Sequence, residues 1–133
     1  GKMLGKRLKD SGLYDGVDTI IAVPVHPVKY WMRGYNQADI IANSVAKELG
    51  IRVTGGVLRR RAFSKSQTTM DPEHRLKNAL ASFSLGNGSA VKGKHILLVD
   101  DVLTTGATLE ACGALLLSVE GCRVSVATLA FVE

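Results

Sequence analysis

The sequence predicts an α/β domain with a mainly parallel, five-stranded sheet flanked by helices. Apolar segments without alternation, such as TIIAVPV (19–25) and HILLVD (95–100), are typical of strands covered on both faces. Segments with helical spacing of apolar residues lie between strands, as crossover helices do in parallel sheets. Polar and glycine-containing stretches follow the strands, where sheets of this class bind their ligands.

The N-terminal half contains two predicted strands and one helix. The first strand (19–25) runs into a loop, HPVKYWMRGYN, which contains a proline and a glycine. A helix is predicted over 36–49, where apolar residues recur at helical spacing until Gly50. The second strand, IRVTGGVLRR (51–60), has glycines in its middle that indicate a bulge. A polar segment (61–78) of roughly twenty residues follows, a length typical of functional loops.

The C-terminal half contains three more predicted strands and a second helix. ALASFSL (79–85) is the third strand and GNGSAVKG (86–93) is a turn. HILLVD (95–100) is the fourth strand, a helix covers 106–119, and RVSVATLAFV (123–132) is the fifth strand. No internal repeat or linker divides the chain, so residues 1–133 are expected to form a single domain.

Composition narrows the class of partner. The net charge of +5 suits polyanions such as phosphates, diphosphates or nucleic acid, and the cations concentrate in VKYWMRG and LRRRAFSKSQTTMDPEHRLKN. No apolar run approaches the ~20 residues that span a bilayer, so we expect no membrane insertion. Cys112 and Cys122 belong to no metal-binding spacing, and we expect buried thiols in a reducing cytoplasm. His26, His74 and His95 share no ligand spacing either.

The stretch ILLVDDVLTTGAT (96–108) carries the functional signal. Asp100 and Asp101 end a buried strand, and two adjacent anions make sense if they bind a cation or accept hydrogen bonds from hydroxyls. The loop that follows enters a helix N-terminus, where free N–H groups and the helix dipole favour an anion. Gly106 lets the backbone approach closely, and the threonines add hydroxyl donors. An acid pair beside a phosphate-binding loop is the pattern expected of a site that binds a sugar phosphate.

Other interpretations of this stretch fit less well. A Walker A loop needs GxxxxGK[ST] and a dinucleotide fingerprint needs GxGxxG after a strand, and the chain has neither. An ordinary strand-to-helix turn with an aspartate N-cap accounts for one of the acids or threonines, not for all five.

The stretch resembles the phosphoribosyl-diphosphate (PRPP) signature of type I phosphoribosyltransferases, whose fold it therefore implies. The resemblance implies that Asp100 and Asp101 bind the ribose hydroxyls and that residues 103–108 hold the 5′-phosphate. Mg²⁺ is implied as the cofactor, bridging diphosphate and sugar and held mainly through PRPP. The implied PRPP-binding residues beyond the two acids are Val102, Leu103, Thr104, Thr105, Gly106, Ala107 and Thr108.

The same resemblance gives roles to the two basic loops. VPVHPVKYWMRGYNQA stands where the family has its diphosphate loop, with Lys29, Arg33 and Gly34 as the binding residues. The long loop stands where the family has a mobile flap that closes over the reaction centre, with Gln67, Arg75 and Asn78 as its functional residues. Arg75 joins Asp100 and Asp101 in the expected catalytic set. Residues 59–61, three arginines, are either part of this machinery or a solvated hinge.

Two further strings narrow the resemblance. RGYNQA and SQTTMDPEHRLKNALASF are similar to the RG-aromatic-NQ and Q…R..N…F patterns of the ComF family of competence-associated phosphoribosyltransferase-like proteins. ComF proteins commonly begin with a four-cysteine zinc module, and these 133 residues contain no such pattern. The flap also resembles that of amidophosphoribosyltransferases, although no glutamine-hydrolysing segment accompanies it.

Three functional hypotheses follow. The chain is a phosphoribosyltransferase acting on an unidentified nitrogenous acceptor, with a role in DNA uptake or nucleoside metabolism. Alternatively, it is a non-catalytic module that binds PRPP, ribose 5-phosphate or a nucleotide, or an accessory protein that binds nucleic acid directly. Both acids and the complete threonine loop favour the first two, because contact with DNA needs neither. A homodimer is compatible with all three.

Overall fold

The computed structural model describes residues 16–24, 37–60, 81–103 and 106–131, without the side chains of 102–103 and 129–131. The helices and strands follow in chain order: β1 (Thr19–Ala22), α1 (Gln37–Leu49), β2 (Arg52–Val53), β3 (Leu58–Arg60), β4 (Phe83–Leu85), a 3₁₀ helix (Gly88–Val91), β5 (His95–Leu103), α2 (Ala107–Leu117) and β6 (Arg123–Phe131). Neither described helix is long and apolar enough to cross a membrane.

The main sheet is parallel throughout and has the order β2-β1-β5-β6. In its centre Ile20 of β1 pairs with Leu97 of β5, which pairs with Ser125 of β6. Neighbouring parallel strands require crossover connections, and α2 lies in the one between β5 and β6. The predicted α/β class with a parallel sheet is confirmed.

The prediction of one strand over 51–60 is wrong in detail, because this segment forms two strands in two sheets. The backbone N–H of Thr54, just after β2, still donates to the carbonyl oxygen of Ile20 in β1, at 2.9 Å. Gly56 then adopts a φ of +78°, a left-handed conformation that redirects the chain. Beyond it, β3 pairs antiparallel with β4, so Arg60 lies opposite Phe83. Within the described ranges the parallel sheet therefore has four strands, and the segments at 58–60 and 83–85 form a separate two-stranded sheet.

Each face of the main sheet is covered by a different helix. Along β5, Leu97 and Val99 pack with Ile41 and Val45 of α1 on one face. On the other face, residues of the sheet, of α2 and of the β3–β4 hairpin form a second core cluster, which includes Ile96, Leu98, Cys112, Leu116, Leu58 and Phe83. Because strand side chains alternate, the next residue on the α2 face after Leu98 is Asp100.

Helix α2 contains a glycine that its packing does not require. A Cβ added to Gly113 meets no atom within 4 Å outside the backbone of its own helix. Gly113→Ala should therefore raise the free energy of unfolding by about 0.5–1 kcal/mol, the helix-interior cost of glycine. Urea unfolding followed by circular dichroism measures it. Gly121→Ala is the opposing control, because Gly121 has a φ of +75° and its added Cβ lies 2.9 Å from Gly93 Cα. That variant should lose stability.

Candidate active site

Strand β5 carries two carboxylates to the carboxyl edge of the sheet, but it does not end with them as the predicted range 95–100 required. The strand continues to Leu103 because β6 still pairs with it there, whereas its pairing with β1 stops at Val99. Leu98 and Val99 are fully buried, whereas Asp100 and Asp101 directly after them are half-buried. The backbone N–H of Asp101 donates to Asp100 Oδ1 at 2.8 Å, which orients the Asp100 side chain. The sheet places the acid pair beside Thr128 of β6, the register partner of Asp100. The acids thus occupy the edge where parallel sheets bind ligands.

The end of β1 lies next to this pair. The backbone N–H of Val23 donates to the carbonyl oxygen of Val99 at 2.9 Å. The chain therefore leaves β1 beside Val99, the residue that precedes Asp100. The predicted diphosphate loop, with Lys29, Arg33 and Gly34, begins from this point but lies outside the described residues. The same holds for Thr104, Thr105 and the predicted flap residues Gln67, Arg75 and Asn78.

Three residues separate the end of β5 from the start of helix α2, which therefore begins at the same edge. Gly106 is its N-cap, with φ +80° and ψ −6°, and the N–H of Glu110 donates to its carbonyl at 2.8 Å. A glycine N-cap supplies no side-chain acceptor to the first-turn N–H groups, which carry the positive end of the helix dipole. Ala107 and Thr108 form that first turn and are partly exposed. This arrangement is typical of an anion-binding helix N-terminus.

Arg60 is one of the three arginines for which the sequence left two roles open. Its guanidinium lies over the Phe83 ring, with Cζ 5.0 Å from the ring centroid, and its Nε is buried without a hydrogen-bond partner. Burial lowers the pKa of this guanidinium from its ordinary value, while the negative charges that Cys112 and Asp100 carry at high pH oppose this shift. A solvated hinge is therefore the wrong interpretation for Arg60, although Arg59 is exposed. Strand alternation was the available signal, since it puts Arg60 on the same face as the buried Leu58.

The environment of Asp100 favours its protonated form. Burial raises its pKa to about 6, and a side-chain hydrogen bond and charge repulsion from Asp101 act in the same direction. The backbone N–H of Asp101 and the charge of Arg60 oppose the shift. Burial, with the charge of Asp100, raises the pKa of the Cys112 thiol to about 12, which keeps it protonated. The carboxyl group of Asp100 therefore changes charge close to neutral pH.

This raised pKa makes stability depend on pH. Between the ordinary carboxyl value and about pH 6, the folded chain holds a proton on Asp100 that the unfolded chain has lost. The contribution of Asp100 to stability therefore falls as pH rises from about 4 to above 6. Asp100→Asn lacks this term, so its Tm advantage over the native chain should grow over that range and then level off. A constant difference between the two melting curves from pH 4 to 8 would contradict the assignment.

His95 and Cys122, which the sequence analysis also considered, make structural contacts away from this edge. His95 Nε2 lies 2.7 Å from Ser125 Oγ, and the backbone N–H of His95 donates to Asp18 Oδ2 at 2.8 Å, both at the amino end of the sheet. Cys122 Sγ donates to the carbonyl oxygen of Val91 at 2.9 Å. His26 and His74 lie outside the described residues. In the part of the chain that the structure describes, no three metal-ligating side chains cluster.

The fold and its site define the class of protein. The chain superposes on adenine phosphoribosyltransferase from Saccharomyces cerevisiae, crystallised with an imino-altritol bisphosphate and adenine, with a TM-score of 0.61. The match covers 95% of this chain and 62% of the yeast chain, at 14% identity, and shows a shared type I phosphoribosyltransferase fold. The family described as the phosphoribosyl transferase domain matches residues 36–132, and the chain belongs to this family.

Within that family the chain is similar to competence proteins. It is 34% identical to Competence protein F of Haemophilus influenzae over 100 residues, which cover 74% of this chain and 44% of the relative. It is 33% identical to the DNA utilization protein YhgH of Escherichia coli O6:H1 over 75% of this chain and 43% of the relative. These matches confirm the resemblance to the ComF family. The chain spans less than half the length of these relatives.

Proposed function

We propose that this domain binds PRPP with Mg²⁺ and transfers the phosphoribosyl group to a nitrogenous acceptor, releasing diphosphate. One observation carries the proposal: Asp100 and Asp101 lie in the last four residues of a buried strand that ends at Leu103, and the helix that follows is N-capped by Gly106 in a left-handed conformation. The acids are half-buried at the ligand edge of a parallel sheet. The family membership of the chain supports the same chemistry.

The two ends of this short segment suit the two ends of a ribose phosphate. Carboxylates accept hydrogen bonds from vicinal hydroxyls, and such charge-assisted bonds are roughly twice as strong as neutral ones. The first turn of α2 offers backbone N–H groups to the 5′-phosphate, whose binding requires no cationic side chain there. The adenine phosphoribosyltransferase of the same fold was crystallised with a bisphosphate ligand, which supports the size and charge of the proposed ligand.

Mg²⁺ would supply charge neutralisation of the departing diphosphate. Oxygen donors and retained water suit this ion, and PRPP itself offers phosphate and hydroxyl oxygens. We therefore expect the ligand to hold most of its coordination sphere, while Asp100 and Asp101 contact the sugar. This fits the described residues, which present two neighbouring carboxylates at this edge.

The proposed reaction is a substitution at ribose C1. The C1–O bond to diphosphate breaks with its electron pair on the leaving oxygen, a C1–N bond forms, and the acceptor nitrogen releases a proton. The chain contributes positioning and electrostatic stabilisation, since the acids hold the ribose and cations steady the leaving group. We assign the leaving-group role to Lys29 and Arg33, and Arg75 to the closed reaction centre. These assignments remain predictions from sequence.

One experiment separates the three functional hypotheses. Diphosphate release from PRPP and Mg²⁺ is measured against a panel of nucleobases and amines, with calorimetry of PRPP binding in parallel. Release that depends on an acceptor supports the transferase, and binding without release supports a non-catalytic sensor. Failure to bind PRPP, together with DNA binding that weakens steeply with salt and survives Asp100→Asn, would replace the proposal with the nucleic-acid hypothesis. The names of the competence and DNA-utilization relatives make DNA uptake the process to examine in cells.

A further inference from the structure

Thr128 is the register partner of Asp100 on the neighbouring strand, β6. Register partners point to the same face of a parallel sheet, and adjacent strands lie about 4.8 Å apart. Leu98 of β5 and Val124 of β6 both pack in the core cluster beneath α2, so this is the face that α2 covers. Strand alternation puts Asp100 and Thr128 on that same face. A carboxylate and a hydroxyl therefore lie side by side at the ligand edge of the sheet.

The two strands change from apolar to polar at the same level. On the α2 face each strand presents two apolar residues and then a polar one: Ile96, Leu98 and Asp100 on β5, and their register partners Val124, Val126 and Thr128 on β6. Valine has nearly the shape of threonine, and a hydroxyl on a covered face costs free energy unless it has a partner. In the part of the chain that the structure describes, no hydrogen bond involves the Thr128 hydroxyl. This hydroxyl is therefore available to a ligand.

The exposure of β6 indicates that Thr128 faces an enclosed space. Val126 is 41% exposed, whereas Thr128 is less exposed although it lies closer to the carboxyl end of the strand. Helix α2 packs against β5 and β6, and its first turn, which contains the partly exposed Thr108, begins at this edge. The hydroxyl of Thr128 and the first turn of α2 thus border the same space, next to Asp100.

We propose that Thr128 is a further ligand-binding residue, whose hydroxyl donates a hydrogen bond to the 5′-phosphate at the first turn of α2. This inference rests on the proposed function. A phosphate on this face lies near the carboxylate of Asp100, and two anions repel each other. The threonine hydroxyl is neutral and donates one hydrogen bond, so it offers the phosphate a donor without adding negative charge. Strand β6 thereby supplies a donor that the ionised Asp100 side chain lacks.

The first test removes the hydroxyl and keeps the shape of the side chain. Thr128→Val should bind PRPP and ribose 5-phosphate about tenfold more weakly or worse, because it loses a hydrogen bond to a charged group. Its Tm should equal or exceed the native value, since valine suits a covered strand. Calorimetry with both ligands gives the affinities. Native affinity in a folded Thr128→Val would overturn the proposal.

Ser125→Ala is the matched control for this variant. It also removes a hydroxyl from β6, but on the other face of the sheet, where Ser125 Oγ lies 2.7 Å from His95 Nε2. Ligand affinity in Ser125→Ala should therefore stay native. An equal loss of affinity in Ser125→Ala and Thr128→Val would show that any change in β6 weakens binding, and it would overturn the specific role of Thr128.

Two smaller side chains repeat the deletion of the hydroxyl independently. Thr128→Ser keeps the hydroxyl and should keep most of the native affinity, whereas Thr128→Ala should lose about as much as Thr128→Val. The comparison of serine with alanine decides the question even if Thr128→Val does not fold. Equal affinities in Thr128→Ser and Thr128→Ala would reduce Thr128 to a packing role, and the proposal would fail.

Phosphorus NMR tests which part of the ligand Thr128 contacts. The ³¹P resonance of bound ribose 5-phosphate is recorded at saturation and at pH 8, where the phosphate is a dianion. It should differ between the native chain and Thr128→Val, and it should be native in Ser125→Ala. Weaker binding by Thr128→Val with an unchanged ³¹P resonance would place Thr128 at the sugar and overturn the phosphate assignment. If the native chain binds neither ligand, the proposed function fails and this inference fails with it.

Discussion

Asp100→Asn should abolish measurable PRPP binding and leave the domain folded. Asparagine keeps the shape of the side chain but replaces one carboxylate oxygen with an NH₂ group, which donates where the ribose hydroxyls need an acceptor. Loss of one hydrogen bond to a charged group, at about 1.5–3 kcal/mol, and weakening of the other at the neutral amide oxygen together predict an affinity loss of about a hundredfold or more. Calorimetry with PRPP and Mg²⁺ at pH 7.5 measures it. Asp101→Asn should lose binding in the same way.

The melting temperature distinguishes this loss of PRPP binding from unfolding of the domain. At neutral pH the buried charge of Asp100 is unfavourable, because burial raises its pKa to about 6. Asp100→Asn should therefore melt at a higher temperature than the native chain while failing to bind, as expected where a functional group is held at a cost in stability. Glu120→Gln is the control: it removes an acid whose side chain is 82% exposed, beside Lys92 and away from the site, and should change neither property. Native PRPP affinity in Asp100→Asn would disprove the assignment of the acid pair.

Gly106→Val should produce the second large effect. At a φ of +80°, a β-branched residue is strained, with a cost of about 1–2 kcal/mol for left-handed backbone. The chain can relieve this strain by shifting the start of α2, which displaces the N–H groups that would hold the 5′-phosphate. We expect at least about tenfold weaker binding of both PRPP and ribose 5-phosphate, since 1.4 kcal/mol corresponds to a factor of ten.

The matched control for this variant lies in the same helix. Gly113→Ala also adds a side chain to a glycine of α2, but in the interior and without a close neighbour, so ligand affinity should stay native. Competition by ribose 5-phosphate against PRPP, followed calorimetrically, gives both affinities. Unchanged ribose 5-phosphate affinity in Gly106→Val, with a lowered Tm that proves the strain, would exclude the first turn of α2 as the phosphate site.

Local patterns were sufficient for much of this fold. The apolar run before Asp100 predicted a covered strand that delivers two acids to a sheet edge, and the spacing of Ile41, Val45 and their neighbours predicted helix α1 to within one residue. Gly106 was expected where the backbone needs freedom, and its φ is positive. These features depend on residues that are close in the chain, so periodicity and residue type suffice to find them.

The sequence by itself determined the α/β class, the family and the position of the acid pair. Only the tertiary structure decided that residues 51–60 divide between two sheets, because partners for β2 and β3 come from β1 and β4, far along the chain. The same holds for the surroundings of Asp100: Arg60, Asp100 and Cys112 come from three elements. The ionisation of Asp100 depends on burial and on charges that meet only when these elements pack, which no local pattern records.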